Sequence, residues 1–266
     1  MQYLFNQWSQ ISKMIKEHNN TVLLCDYDGT LTPIVDTPEE ATLSDETSRL
    51  LVRLVSNRHI VLAIVSGRAL IDIKEKIGLS GVIYAGNHGL EIEGPGLTFV
   101  HPLTDELDSV LHLISIVLKK TMNNIKGVIV EDKGMTLSVH YRLVEEEKIS
   151  QVNAIFENIV NSARKMGKIR TTSGKKVHEV RPAIAWDKGK AVQLIMEKYV
   201  PANRKKNILP VYLGDDRTDE DAFRVVNGYG GISVLVGDNE INSEARYSLN
   251  STSEVNTFLS ELHKMV

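Results

Sequence analysis

Short continuous apolar runs, each closed by a polar turn, recur along the first hundred residues. Thr21-Val22-Leu23-Leu24-Cys25 ends in Asp26-Tyr27-Asp28-Gly29-Thr30, His59 to Val65 ends in Ser66-Gly67-Arg68, and Val82-Ile83-Tyr84-Ala85 ends in Gly86-Asn87-His88-Gly89. Runs of this length without polar alternation predict strands covered on both faces. Between the first two, Ser44 to Asn57 puts Leu50, Leu51, Leu54 and Val55 on one helical face. Strand, helix, strand in this order is the pattern of a parallel sheet flanked by helices.

The period changes near Leu103. Thr104 to Asn123 has helical spacing, and two strand-like runs follow, Val128 to Val130 and Thr136 to Tyr141, joined through Lys133-Gly134. The unit then repeats: Glu145 to Met166 reads as a helix, and Lys168 to Thr172 with Lys176 to Val180 as a hairpin around Ser173-Gly174. Strands joined by short loops run antiparallel, so two helix-hairpin units cannot extend a parallel sheet and predict an inserted domain. After Arg181-Pro182 the first pattern returns. A helix over Lys188 to Tyr199 precedes Ile208 to Leu213, which ends in Gly214-Asp215-Asp216; Ile232 to Val236 ends in Gly237-Asp238. Ser251 and Glu254 stand as a capping box before a closing helix. The expected organisation is an N-terminal helix over 1–20, a core domain split into 21–102 and 183–266, and an inserted α/β domain over 103–182.

Composition narrows the function classes. The 266 residues are 42% hydrophobic, enough for a sizeable core, and a net charge of −3 lacks the basic excess that phosphate-backbone binding requires, so nucleic acid is not an expected partner. The single cysteine, Cys25, permits no internal disulfide, which points to a reducing compartment and a cytoplasmic location. No apolar run reaches the roughly 20 residues of a membrane span, and the first residues lack the three-part pattern of a signal peptide. Oligomeric state is not encoded in any visible feature, and one chain suffices for the site described next.

In open parallel sheets, ligands bind beyond the carboxyl ends of the strands. Asp26, Asp28, Thr30, Ser66, Lys188, Asp215 and Asp216 all fall at such ends or at a helix start. Carboxylates from two strand ends suit Mg²⁺, a hard cation that prefers oxygen ligands. A serine hydroxyl and a lysine ammonium suit the oxygens of a phosphoryl group in transit. An aspartate can accept that group covalently while a second shuttles the proton, which assigns Asp26 as nucleophile and Asp28 as acid and base. Each element alone is weak, because aspartates in turns more often bond their own backbone and cap helices. Asp216 and Asp219 have that ordinary reading open to them. Their joint order carries the inference.

Asp26 to Thr32, Ser66, Lys188 and Gly214-Asp215-Asp216 resemble, in order, the four motifs of haloacid-dehalogenase phosphatases. The resemblance implies a Rossmann-like core with an inserted cap, and places the Asp28 backbone carbonyl on the metal with Asp26, Asp215 and Asp216. A narrower resemblance is to the trehalose-6-phosphate phosphatases. It rests on Val65 to Arg68, Ala85 to Gly89, Glu131 to Gly134, Glu179 to Pro182, Trp186 to Gly189 and Gly214 to Asp221. It implies a sugar phosphate as partner, with Arg68, Asn87, His88, Gly89, Glu131, Lys133 and Glu179 on the substrate. His140 and Arg142 are read as a solvated cap face. Another sugar-phosphate phosphatase, a phosphomutase, a receiver-like phospho-acceptor and an inactive regulatory domain remain alternatives. No Gly-x-x-x-x-Gly-Lys-Ser/Thr loop is present, and Leu31 stands where a cysteine phosphatase following Cys25 would need arginine.

Overall fold

The computed structural model describes residues 1–200, 207–237 and 242–266; Asp238, read above as a strand end, lies outside them. In chain order the elements begin β1 (Gln2–Tyr3), α1 (Trp8–Glu17), β2 (Asn20–Cys25), α2 (Asp45–Ser56), β3 (Ile60–Val65), α3 (Leu70–Ile77), β4 (Ile83–Gly86), β5 (Glu91–Gly94) and β6 (Leu97–Val100). There follow α4 (Asp105–Met122), β7 (Ile129–Asp132), β8 (Leu137–His140), α5 (Glu146–Lys165), β9 (Ile169–Gly174) and β10 (Val177–Pro182). The chain closes with α6 (Lys188–Tyr199), β11 (Ile208–Gly214), α7 (Glu220–Gly228), β12 (Ile232–Val236), β13 (Tyr247–Leu249) and α8 (Thr252–Met265). These form two compact units, one of 1–34, 41–100 and 186–266, the other of 35–40 and 101–185.

The first unit is built on a nine-stranded sheet of order β1-β13-β12-β11-β2-β3-β4-β5-β6. Every pairing from β1 to β4 is parallel, and β5 and β6 add an antiparallel hairpin at the edge. Val22 and Leu24, Ala63 and Val65 alternate toward α6 and α7 and share one core with Val192, Ile195 and Phe223. The intervening Leu23, Leu62 and Ile64 are equally buried. They face the opposite side, where α1, α2 and α8 pack together. Both faces are therefore covered, the reason these strands lack polar alternation.

The start of the chain departs from the expected helix over 1–20. Gln2 and Tyr3 pair in parallel with Tyr247 and Ser248, and helix begins only at Trp8 after a tight turn over Leu4–Gln7. The β5–β6 hairpin and β13 likewise go beyond the elements expected from the sequence. At α8 the Ser251 hydroxyl caps the Glu254 amide, but the Glu254 carboxylate accepts from Asn250 rather than from Ser251, so the box is offset by one residue.

The second unit is a four-stranded antiparallel sheet of order β7-β8-β10-β9. One face is covered by α4 and α5, with Leu111, Leu118, Phe156 and Val160 packed on Leu137, Val139 and Val180. The last hairpin turns at Lys175-Lys176, not around Ser173-Gly174, because Val177 pairs with Gly174; of the two turn residues Lys176 takes a left-handed φ of 62°. Among the described residues no helix is long and apolar enough to cross a membrane.

Candidate active site

Asp26 follows β2 directly, its amide donating to the Leu213 carbonyl of neighbouring β11 at 2.8 Å, so ladder bonding carries it to the end of the sheet. The chain then folds tightly on the Tyr27 carbonyl, which accepts from Leu31 at 2.9 Å and Thr32 at 3.0 Å. Gly29 makes this turn possible. Its φ is +84°, and a Cβ there would lie 2.0 Å from an Asp215 oxygen, so loop and carboxylate are in direct contact. Thr30 is fully buried, and no described group bonds its hydroxyl.

Lys188 opens α6, where the Asp187 side chain caps the Lys190 amide. Its buried ammonium lies 2.9 Å from Asp26 and 2.8 Å from Asp219. Asp219 is the hub of this cluster. One oxygen accepts from Lys188 and, at 2.6 Å, from the Tyr212 hydroxyl; the other accepts from the amides of Asp215 at 3.1 Å and Asp216 at 3.2 Å. Gly214 lets the hub approach, since a Cβ on it would meet Asp219 at 2.3 Å.

Oxygens of Asp26, Asp215 and Asp219 lie within 4.8 Å of one another, all buried. Such a set of hard donors fits a divalent cation. Four hydrogen bonds use the lone pairs of Asp219, which leaves Asp26 and Asp215 as the better ligand pair. Electrostatics agrees. Burial pushes the Asp26 carboxyl well above the usual carboxylate range; Lys188 opposes this, and Asp219, Asp215 and Asp216 add to it. Burial works against the Lys188 ammonium, yet Asp219, Asp26 and Asp216 more than offset it and hold lysine in its charged form. One ammonium thus faces an excess of negative charge, which a second cation would relieve.

The carboxylate of Asp216, the third expected side-chain ligand, is engaged elsewhere. The Asp216 side chain caps the Thr218 amide at 2.8 Å and its hydroxyl at 2.7 Å, the ordinary capping reading. Asp28 presents its side chain to Arg68, at 2.7 and 2.8 Å. Arg68 therefore holds a carboxylate of this loop.

Ser66 follows β3 directly, its hydroxyl accepting from the Arg68 amide at 3.2 Å. Backbone bonds from Asn87 to Arg68 at 2.7 Å and from His88 to Ser66 at 2.9 Å stitch the β3 and β4 loops together. Asn87, His88 and Gly89 all take left-handed φ values, 50°, 57° and 86°. Two non-glycine residues in succession there are a strained arrangement of the kind that collects at functional sites. The Asn87 amide is tied to Glu91 at 2.6 Å, and the buried His88 ring lies against Gly67. Cys25 is a fully buried thiol, pushed far above its ordinary pKa by burial and by Asp26, and so is inert.

In the second unit, strand register sets Glu131, Ser138, Glu179 and Thr172 in one row across β7, β8, β10 and β9. Lys133 lies 4.0 Å from Glu131 and 3.8 Å from Glu179. Glu131 also meets His140 at 3.0 Å, and the buried Arg181 donates to Glu179. Glu131, Lys133 and Glu179 are thus brought together. Ser138, His140 and Arg181 join them, which strand register alone decides. Arg142 instead donates to the Val35 and Lys175 carbonyls.

The model of the trehalose-phosphatase family matches residues 24–255. The chain belongs to that family. It is 38% identical over 251 residues to a protein named probable trehalose-phosphate phosphatase D of Arabidopsis thaliana, covering 91% of this chain and 66% of that one. It thus spans about two thirds of the length of the curated relatives it matches. Among solved structures, the C-terminal domain of the C. albicans trehalose-6-phosphate phosphatase superposes with a TM-score of 0.84 at 26% identity, over 97% of both chains. A haloacid dehalogenase-like hydrolase from Bacteroides thetaiotaomicron shares the fold alone, at a TM-score of 0.63 and 14% identity over 93% of this chain and 100% of that one. The fold of this family member is thus shared with a haloacid dehalogenase-like hydrolase, the fold that the four ordered motifs imply.

Proposed function

We propose that the chain hydrolyses trehalose 6-phosphate to trehalose and inorganic phosphate through an aspartyl-phosphate on Asp26, with Mg²⁺ as its cofactor. The observation that carries this reading is the Asp26 carboxylate at a strand end, held 2.9 Å from the buried Lys188 ammonium and beside Asp215. Bound between Asp26 and Asp215, Mg²⁺ would supply positive charge to the phosphoryl oxygens and to the attacking carboxylate. In the first half-reaction an Asp26 oxygen attacks phosphorus, the bond to the sugar oxygen breaks, and that oxygen takes the Asp28 proton and leaves as an alcohol. In the second, water attacks phosphorus, Asp28 recovers a proton from it, and the bond to Asp26 breaks, regenerating the carboxylate and releasing phosphate. Lys188 keeps Asp26 oriented and offsets the negative charge that gathers in transfer. Ser66, and the buried Thr30 hydroxyl, are suited to the phosphoryl oxygens and the loop that cradles them.

The sugar is assigned to the second unit. Glu131, Lys133 and Glu179 offer two acceptors and a donor in one cluster, a set that matches vicinal hydroxyls, and relatives bearing the name trehalose-phosphate phosphatase support the disaccharide. Asn87, His88 and Gly89 border the phosphate end in this reading, with Arg68 held on Asp28. Phosphate release from trehalose 6-phosphate, sucrose 6-phosphate and glucose 6-phosphate, with Mg²⁺ and with chelator, tests it. Release from trehalose 6-phosphate should exceed the others and vanish with chelator. Equal release from all three would leave only a general sugar-phosphate phosphatase, and full activity in chelator would remove the metal.

A further inference from the structure

Arg68 is held through both its backbone and its side chain. Its amide donates to the Ser66 hydroxyl at 3.2 Å, and its carbonyl accepts from Asn87 at 2.7 Å. Its guanidinium donates through Nη1 to Asp72, 2.8 Å away in the first turn of α3, and lies 5.3 Å from the centre of the buried Tyr27 ring. The remaining edge meets Asp28 bidentately, Nε on one oxygen at 2.7 Å and Nη2 on the other at 2.8 Å. Side-chain exposure is 8% for Arg68 but 36% for Asp28. The arginine is thus fixed by packing, whereas the aspartate lies on a loop with a third of its side chain open to solvent.

We propose that Arg68 is a positioning residue, which takes one lone pair of each Asp28 oxygen and so sets the plane and rotamer of the carboxyl, while a remaining lone pair carries the proton given to the leaving oxygen. This rests on the reading of Asp28 as the acid and base of the reaction. An exposed aspartate with two free torsions would sample several rotamers, and most would miss the leaving oxygen. A planar fork bonded to both oxygens admits one. Lysine would offer a point charge and leave the plane free. Misplacement of a reacting group by about 1 Å costs on the order of 10²-fold in rate, so a clamp of this kind acts on turnover and not on folding alone.

The test is kcat/KM, which reports events up to transfer onto Asp26, for phenyl, p-nitrophenyl and 2,4-dinitrophenyl phosphate. The wild type is compared with Arg68→Met, Arg68→Lys, Asp28→Asn and the double variant Arg68→Met/Asp28→Asn, with melting curves run on each. The poorest leaving group needs the proton most. Arg68→Met should lose about 10–100-fold on phenyl phosphate and under about threefold on the dinitrophenyl ester. Arg68→Lys should follow the same trend, and Arg68→Met should cost nothing further in the Asp28→Asn background. Equal losses on all three esters, or a full Arg68→Met loss on top of Asp28→Asn, would overturn the proposal and make Arg68 a phosphate-binding or purely structural residue. A flat leaving-group response of Asp28→Asn itself would instead bring down the acid-base reading of Asp28, and the clamp with it. Should Arg68→Met fail to fold, Arg68→Lys and Asp72→Asn, which frees the far edge of the guanidinium, carry the same comparison.

Discussion

Asp219 accepts from Tyr212, Lys188 and the amides of Asp215 and Asp216, so one carboxylate ties together the end of β11, the start of α6 and the base of the cation site. Removing one neutral donor should be felt at Asp26, three links away through Asp219 and Lys188. Tyr212→Phe keeps the packing against Phe223 and deletes the 2.6 Å hydrogen bond. It should lower kcat by about 10–100-fold, the equivalent of one hydrogen bond to a charged group, with KM little changed; an unchanged kcat would mean Lys188 needs no such support. Asp26→Asn fills the same space but cannot form the acyl phosphate, so turnover should fall by at least about 10⁴-fold while the melting temperature is retained. Near-normal turnover would move the nucleophile elsewhere. At this scale the sequence singled out Asp26, Ser66, Lys188 and Asp215, because each ends an apolar run or begins a helix. It left Asp219 as a capping candidate, a role its bond from the Asp216 amide fills; the bonds from Tyr212 of β11 and Lys188 of α6 follow no spacing rule.

Among elements, the second-unit sheet contains a group whose protonation opposes folding. His178 of β10 is stacked on Phe156 with ring centres 4.5 Å apart and lies beside Tyr141, while its nitrogens meet Asn153 at 2.7 Å and Ser173 at 2.9 Å. A neutral imidazole satisfies both, donating to Asn153 and accepting from Ser173. Burial pushes its pKa below the ordinary histidine value, with Glu157 pulling partly the other way. A depressed pKa in the folded state means stability that is undiminished above the unfolded value of about 6.5 and is lost as pH falls from there through the folded value. Melting followed from pH 7.5 to 5 should show this loss in the wild type and a smaller one in His178→Gln; identical pH profiles would refute it. The long helices and the buried strands β2, β3, β4 and β11 were legible from period alone. β1, β5, β6 and β13 were not, because segments of two to four residues owe their strand state to a neighbour that completes their hydrogen bonds.

The whole chain is two units, each with its own apolar core, one holding the carboxylate and lysine cluster and the other the Glu131, Lys133 and Glu179 cluster. If the second reads the sugar, damage to each should have a distinct signature. Lys133→Ala and Glu179→Ala should lose about 10–100-fold in kcat/KM for trehalose 6-phosphate, the range for charged hydrogen bonds, and barely alter hydrolysis of p-nitrophenyl phosphate. Lys188→Ala should impair both substrates alike. Equal losses on both substrates for the first two variants would reject the division of labour and leave the phosphoryl chemistry untouched. The sequence by itself determined the parallel core, the inserted antiparallel sheet and the strand ends where chemistry gathers. Those follow from periodicity and turn residues, which act over a few neighbours. Only the tertiary structure decided that Asp219 is a hub, that Asp28 faces Arg68, and that Ser138 shares a row with two glutamates. Each of those depends on register and on loops meeting across the sheet, and a side chain's partner is chosen by what the fold brings within about 3 Å, which no local pattern records.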